Sequence, residues 1–317
     1  MKVVSTAKMS ARHQERLQAA YTNHQFFFFS SIEEAGDEIK DAELLITYGE
    51  DLTPERVASM SSLRWIQVLS AGVDMMPLTE LAVRGVKVTN ASGIHKIPMA
   101  EYTIGVMLQA TRKMNELYVK QQASEWDRSL RVEELYGKTL GIIGVGAIGE
   151  EIARRAQVFG MQVLGVTRSG KPNEYCDQMH RESELSLVLP QCDYVVVVVP
   201  LTEETYHLIG HAELTQMKES AVLINIARGP VIDEAALVEH LKANKLSLAV
   251  LDVFSQEPLP TDSSFWKLDN CIITPHVSGR SPRYMERALE ILHHNFALWD
   301  KGEQEGMMNV IEAGRGY

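Results

Sequence analysis

The sequence predicts an α/β protein of two domains, each a doubly wound parallel sheet, and three observations carry that expectation. Apolar stretches of strand length alternate with helical stretches from the N-terminus onward. Several strand candidates are unbroken apolar runs, Tyr194–Val199 (YVVVVV) above all, and such runs suit strands covered on both faces. Leu140–Gly160 reads as strand, glycine turn and helix: Leu140, Ile142 and Ile143 come first, and Ile152, Ala153, Ala156 and Phe159 form a helical stripe that stops at Gly160. At 317 residues the chain is long enough for two domains.

The turn itself is Gly144-Val145-Gly146-Ala147-Ile148-Gly149. Gly144 allows a tight turn, Gly146 lets the backbone approach a pyrophosphate, and Gly149 lets the helix pack close to the strand. Ala147 and Ile148 open the helix, whose unpaired N–H groups suit phosphate. A GxGxxG alone is weak, but here a strand precedes it, a helix follows, and a second strand candidate, Met161–Val166, begins at once. The unit reads as a dinucleotide seat.

Taken in order, Val3–Val4 starts a first strand and Ala11–Ala20 a short polar helix. Phe26–Phe29 reads as a buried strand, because phenylalanine suits pleated positions. Glu43–Tyr48 and Trp65–Leu69 are strands separated by a helix start at Thr53-Pro54-Glu55. Ser70–Asp74 is a turn past a strand's carboxyl end, the edge at which open α/β sheets bind ligands, and Val86–Thr89 is a further strand. Pro98 opens a long helix with Ala100, Ile104, Met107, Leu108 and Thr111 on one face and a polar end at Lys113–Gln122, placed to bridge two domains. After Tyr194–Val199 the pattern repeats in Ala221–Ile226, Ser247–Val253 and Ile272–Thr274, with a helix over Glu234–Ala243. Ser281-Pro282 reads as N-cap and first-turn proline of a second long helix, with Met285, Ala288, Leu289, Leu292 and Phe296 on one face. The expected domains are residues 1–97 with 281–317, and 98–280.

Composition excludes several classes. The net charge is −11, from 42 acidic and 31 basic residues with no basic run, which argues against nucleic acid as a partner. Cys176, Cys192 and Cys271 are odd in number and too far apart for a zinc motif, so no metal is expected and a reducing cytoplasm fits. No apolar run approaches the length of a membrane span.

Three polar groups follow late strands: Arg228 after Asn225-Ile226-Ala227, Glu257 after Asp252-Val253-Phe254, and His276 after Thr274-Pro275. Singly they read as an exposed arginine, a loop glutamate and a core histidine. Together, at the strand ends of one dinucleotide domain, they suit carbonyl reduction beside a nicotinamide. Arg228 can hold a substrate carboxylate through a planar bidentate pair. His276 can deliver a proton as hydride arrives, and Glu257 can hold the imidazole's other nitrogen and favour the cationic ring.

GVGAIG, NIARGPVID, LDVFSQEPLP and ITPHVSG, in that order, resemble the signatures of the D-isomer-specific 2-hydroxyacid dehydrogenases. Ser70–Asp74, Met99–Tyr102 and Pro200–Thr202 also resemble family segments, and Gly93–Arg112 is most similar to the glyoxylate/hydroxypyruvate reductase branch. The resemblance implies a Rossmann cofactor domain inserted in a flavodoxin-like substrate domain, with a homodimer formed through the cofactor domains. It implies that Arg228, Glu257 and His276 are catalytic, that Asp252 lies near the nicotinamide, and that the Ala71-Gly72-Val73 backbone joins Arg228 and His276 in holding substrate. Pro200, Thr205, Ile226, Ala227, Ser278 and Gly279 are the further cofactor contacts it implies.

Two departures bear on the cofactor. NAD-using members carry an acid after the second strand, where this chain reads Thr167-Arg168-Ser169; an acid repels a 2′-phosphate, whereas Arg168 can pair with one and the two hydroxyls can donate to it. NADP(H) is therefore favoured, with NAD(H) the alternative. Val198 stands where many relatives carry a polar residue, which makes the cofactor pocket more apolar. The expected function is reduction of a small 2-oxo acid such as glyoxylate or hydroxypyruvate. The alternatives are a 3-phosphoglycerate dehydrogenase, which would need a basic cluster beside Ser70–Asp74 that is absent there and for whose regulatory domain a chain ending at Tyr317 leaves no room, and a non-catalytic dinucleotide-sensing protein, against which the intact trio argues.

Overall fold

In the computed structural model, which describes residues 1–73 and 75–311, the chain divides into two compact units, 1–94 with 281–311, and 95–280. Asp74 and Tyr317 lie outside the described residues.

The first unit is a five-stranded sheet in the order β2-β1-β3-β4-β5, formed by β1 (Lys2–Ser5), β2 (Gln25–Phe28), β3 (Leu44–Thr47), β4 (Trp65–Val68) and β5 (Lys87–Thr89), all parallel. Side chains alternate between two cores. Val3, Leu44, Ile46 and Trp65 meet Phe296 and Leu292 of the helix Tyr284–Lys301 on one face, and Val4, Leu45, Ile66 and Val68 meet Val57 and Leu81 on the other. Each of these side chains contributes roughly 1.5–3 kcal/mol by leaving water.

The second unit is a seven-stranded parallel sheet, order β12-β11-β10-β9-β6-β7-β8. Its strands are β6 (Thr139–Ile143), β7 (Gln162–Thr167), β8 (Gln178–Arg181), β9 (Tyr194–Val197), β10 (Val222–Asn225), β11 (Leu248–Leu251) and β12 (Cys271–Ile273). The valine run works as its composition implies: Val195 and Val197 enter one core while Tyr194 and Val196 enter the other. The helices Lys96–Thr111 and Ala147–Val158 share the second of these, through Ala100, Ile104, Met107, Ile152, Ala153 and Ala156. Tyr194 ties that layer to the sheet, its hydroxyl 2.5 Å from Thr111 Oγ1.

Several local expectations shift. Phe26–Phe28 forms an edge strand with half-buried rings, Phe26 stacking on Phe28 at 5.9 Å, because β1 pairs with it on one side only. Phe159 is 38% exposed, since the helix ends at Val158 and Phe159 is its C-cap. The polar extension is a separate helix, Met114–Gln122, broken from the preceding one by Lys113 at φ 55°. The late helix begins at Tyr284, with Arg283 as N-cap; Ser281 accepts from the Arg283 N–H one turn earlier. β8 and the helices Leu78–Val83 and His211–Gln216 lack a strong apolar pattern and were not expected.

Candidate active site

The glycine turn runs off β6 and returns into a helix of 12 residues. Gly144 holds φ 107°, and a Cβ there would lie 2.7 Å from the Val198 carbonyl oxygen, so glycine is required on both counts. A Cβ at Gly149 would overlap the Gly144 carbonyl and come within 3.2 Å of Ile142, which is the close helix-to-strand packing the motif implies. Gly146, the N-cap, has nothing within 4 Å of its would-be Cβ, and it and Ala147 are exposed. An open, positively polarised helix start next to a Cβ-free backbone fits a pyrophosphate. Ile148 follows, half-buried.

At the end of β7, Thr167 is half-buried and accepts from the Gly170 N–H at 3.0 Å, while Arg168 and Ser169 are exposed. Across the carboxyl edge, the loop after β9 is braced internally: the buried Thr205 hydroxyl donates to Pro200 O at 2.6 Å and accepts from Thr202 N at 2.8 Å. Thr205 thus shapes the loop with its hydroxyl already engaged. In the same loop the Glu204 carboxyl is held below its ordinary range by the Thr202 hydroxyl, by its own backbone N–H and by the charge of Arg168.

The turn after β10 is closed by Asn225, which accepts from Ala227 N at 3.0 Å and donates to Arg228 O at 3.2 Å. Ile226 and Ala227 are buried within it. A Cβ at Gly229 would overlap the Phe254 and Ser255 backbones, so glycine lets this turn lie against the one after β11. The Arg228 guanidinium is exposed and spends Nη1 on its neighbour Ala227 O at 2.8 Å, which leaves its other donors for an anion.

After β11, Asp252 is fully buried; its backbone N–H donates to Asn225 O at 3.1 Å, and its carboxylate and carbonyl order the loop that carries His276. Oδ1 accepts from Thr274 Oγ1 at 2.6 Å and Val277 N at 2.9 Å, Oδ2 accepts from Ser278 N at 2.9 Å, and its carbonyl accepts from His276 N at 2.8 Å. The Tyr102 hydroxyl extends the chain to Thr274 at 2.7 Å, and burial, with the Asp252 charge adding to it, pushes its pKa up to about 12 against the opposing Thr274 bond. Gly279 lies against the His95 ring, a Cβ there coming within 3.0 Å.

His276 sits at φ 51°, and its Nδ1 lies 2.8 Å from Glu257 Oε2. Glu257 Oε1 accepts from Phe254 N at 3.0 Å, so one carboxylate spans backbone and imidazole and leaves Nε2 as the ring nitrogen for substrate. The two side chains are 50% and 37% exposed. The edge thus gathers a guanidinium, a carboxylate–imidazole pair and a dinucleotide-shaped turn in one unit.

The expected substrate backbone belongs to the first unit, at the carboxyl end of β4. Asn90 Nδ2 donates to Ala71 O at 2.6 Å, Ser70 Oγ donates to Gly72 O at 2.9 Å, and Val73 is buried. Asn225, Thr274 and Tyr102 are positioning residues to which the sequence alone assigned no role; the signal for Thr274 and Asn225 was their place inside the motifs. Among the described residues no group of three His, Cys, Asp or Glu side chains is set to hold a metal, and no helix is long and apolar enough to cross a membrane.

Residues 104–278 match the family model "D-isomer specific 2-hydroxyacid dehydrogenase, NAD binding domain". The chain belongs to that family. The family's oxidoreductase chemistry agrees with the edge just described. A D-3-phosphoglycerate dehydrogenase of Methanocaldococcus jannaschii is 38% identical over 88% of this chain, which spans 54% of that relative's length. A glyoxylate reductase of Korarchaeum cryptofilum is 34% identical over 84% of this chain and 82% of its own. Among solved structures, a family member from Aeromonas salmonicida is similar with TM-score 0.85 and 34% identity, covering 98% of both chains. Structures in complex with different cofactors are similar too: a D-isomer specific 2-hydroxyacid dehydrogenase from Xanthobacter autotrophicus with NADPH (TM-score 0.84, 26% identity, 100% and 99% covered) and a D-lactate dehydrogenase from Aquifex aeolicus with NAD (0.79, 26%, 98% and 99%).

Proposed function

We propose that the chain reduces small 2-oxo acids, such as glyoxylate or hydroxypyruvate, to D-2-hydroxy acids with NADPH preferred over NADH. The observation that carries this reading is the 2.8 Å contact of His276 Nδ1 with Glu257 at the same sheet edge as the glycine turn, with Arg228 one strand away. When bound, the nicotinamide supplies hydride to the carbonyl carbon. Arg228 takes the substrate carboxylate through its planar fork and orients the carbonyl. Glu257 fixes the imidazole so that Nε2 carries the proton to the carbonyl oxygen. Asp252 holds the backbone from His276 to Ser278 in place.

Gly144, Gly146 and Gly149, with Ala147 and Ile148, seat the pyrophosphate. Pro200, Thr205, Ile226, Ala227, Asp252, Ser278 and Gly279 line the cofactor's path. Thr167, Arg168 and Ser169 take the 2′-phosphate, supported by the absence of an acid among them. In the first unit, the Ala71–Gly72–Val73 backbone is the substrate-binding stretch. Homodimer formation through the second unit is supported by Tyr118, Val119, Trp126 and Tyr136, which are 62%, 66%, 93% and 77% exposed in a single chain. Three unpaired thiols support a reducing compartment, the cytoplasm.

The 3-phosphoglycerate dehydrogenase reading is favoured by the relative of that name. The test is cofactor oxidation on a panel of 2-oxo acids, run with NADPH and NADH in parallel. Turnover confined to the phosphorylated 3-carbon 2-oxo acid selects the second reading, and tight cofactor binding without turnover of any member refutes both.

A further inference from the structure

β8 pairs in parallel with β7, and the register sets Thr167 opposite Arg181. Residues opposite each other on a parallel ladder project from the same face. That face is identified by Gly165, two residues before Thr167: a Cβ there would come within 2.8 Å of Val145 Cγ2, in the glycine turn, and would meet Met179, two residues before Arg181. Thr167 and Arg181 therefore stand on the side of the sheet where the glycine turn lies.

The chain after β7 folds back over this strand end. Gly170 N donates to Thr167 Oγ1 at 3.0 Å, Gly170 holds φ 62°, and its would-be Cβ lies 3.0 Å from Arg181 Cγ, so the arginine's stem packs on the 167–170 turn. Arg181 is exposed, and among the described residues it makes no ion pair. Glu184, three residues on, spends Oε2 on the Arg181 backbone N–H at 2.7 Å. Arg168 is exposed as well, and among the described residues it too makes no ion pair. A phosphate monoester offers three acceptor oxygens and up to two negative charges, more than one guanidinium satisfies.

We propose that Arg181 is a second guanidinium for the cofactor's 2′-phosphate, clamping it together with Arg168 from the ends of adjacent strands, an inference that rests on the NADPH preference proposed above. The residue is a specificity determinant and plays no part in hydride or proton transfer.

The experiment measures binding to the full chain of NADPH, NADH, 2′-phospho-ADP-ribose and ADP-ribose, for the wild type, Arg181→Met, Arg168→Met and the double variant. Methionine keeps the stem against Gly170, and thermal unfolding checks that each variant is folded. Arg181→Met is expected to weaken NADPH and 2′-phospho-ADP-ribose about tenfold while NADH and ADP-ribose change by less than about twofold. Unchanged NADPH binding in Arg181→Met, with Arg168→Met alone erasing the preference, overturns the clamp and leaves the NADPH reading standing. Equal weakening of both cofactors also overturns it. A wild type that binds both cofactors alike, with Arg168→Met moving neither, overturns the NADPH reading and the clamp with it.

Discussion

Replacing Glu257 by glutamine isolates the carboxylate's job at the imidazole. The substitution keeps the size and one oxygen, and that oxygen can still accept from Phe254 N, now 3.0 Å from Oε1. The other position becomes an amide NH₂ set 2.8 Å from His276 Nδ1. An amide donates there, so the ring is forced to accept at Nδ1 and to carry its hydrogen at Nε2 as a neutral ring. Giving up that hydrogen would leave an imidazolate, and in the reverse direction Nε2 has no lone pair for the alcohol proton. Turnover is expected to fall by about 10²–10⁴-fold in both directions, the span general acid–base catalysis commands. Stability should change by no more than ~1 kcal/mol, because the pair is 50% and 37% exposed and solvent screens it. Stopped-flow hydride transfer with a saturating 2-oxo acid, alongside urea unfolding, separates the two effects. A Glu257→Gln chain that turns over within about threefold of the wild type, far short of that span, refutes the assignment of acid–base chemistry to this pair.

Three further outcomes follow from the same geometry. Asp252→Asn can keep the bonds from Thr274 and Val277 on its oxygen, but it turns an NH₂ toward Ser278 N and leaves a buried donor unmet; about 1–3 kcal/mol of stability should disappear in urea unfolding, together with turnover as the His276 loop loosens. Arg228→Lys keeps the charge and loses the planar fork, so KM for the 2-oxo acid should rise by roughly tenfold or more with cofactor binding intact, and an unchanged KM would remove Arg228 from substrate binding. Tyr102, raised from 10.0 to about 12 by burial, keeps its proton in the fold while the unfolded phenol begins to ionise near 10, so its contribution holds below that pH and is lost as pH climbs toward 12; Tyr102→Phe should flatten this alkaline fall in urea midpoints.

How much of this was legible beforehand depends on where the deciding interaction lies. β6, β9, β10 and β11 are visible because each is a short apolar run whose alternate side chains enter opposite cores, a pattern local to four or five residues. Arg228, Glu257 and His276 are visible because polar groups just past such strands converge on the carboxyl edge of a parallel sheet. β8 carries no such signal: Gln178, Met179, His180 and Arg181 are half-buried or exposed, and pairing with β7 alone makes them a strand. Phe26–Phe28 misleads in the opposite sense, since phenylalanine content reports an affinity for apolar surroundings and says nothing of whether a strand has one neighbour or two.

The support behind the trio was hidden for a further reason. Tyr102 and Thr274 meet across 172 positions of sequence, and Asp252 meets Ser278 across 26, so no spacing rule connects them. Their bonds also run to backbone as much as to side chains, which any residue type could offer. Yet these contacts decide whether Nε2 of His276 is presented in one orientation or several. A carboxylate that is fully buried and saturated with donors adds little chemistry of its own; by bonding the N–H groups of Val277 and Ser278 and, through its carbonyl, that of His276, it holds a histidine backbone at positive φ that the isolated loop would leave. The geometry proposed for catalysis at this edge therefore rests on a residue that need not touch the substrate, and Asp252→Asn and Glu257→Gln should be told apart by stability, which only the first is expected to lower by more than ~1 kcal/mol.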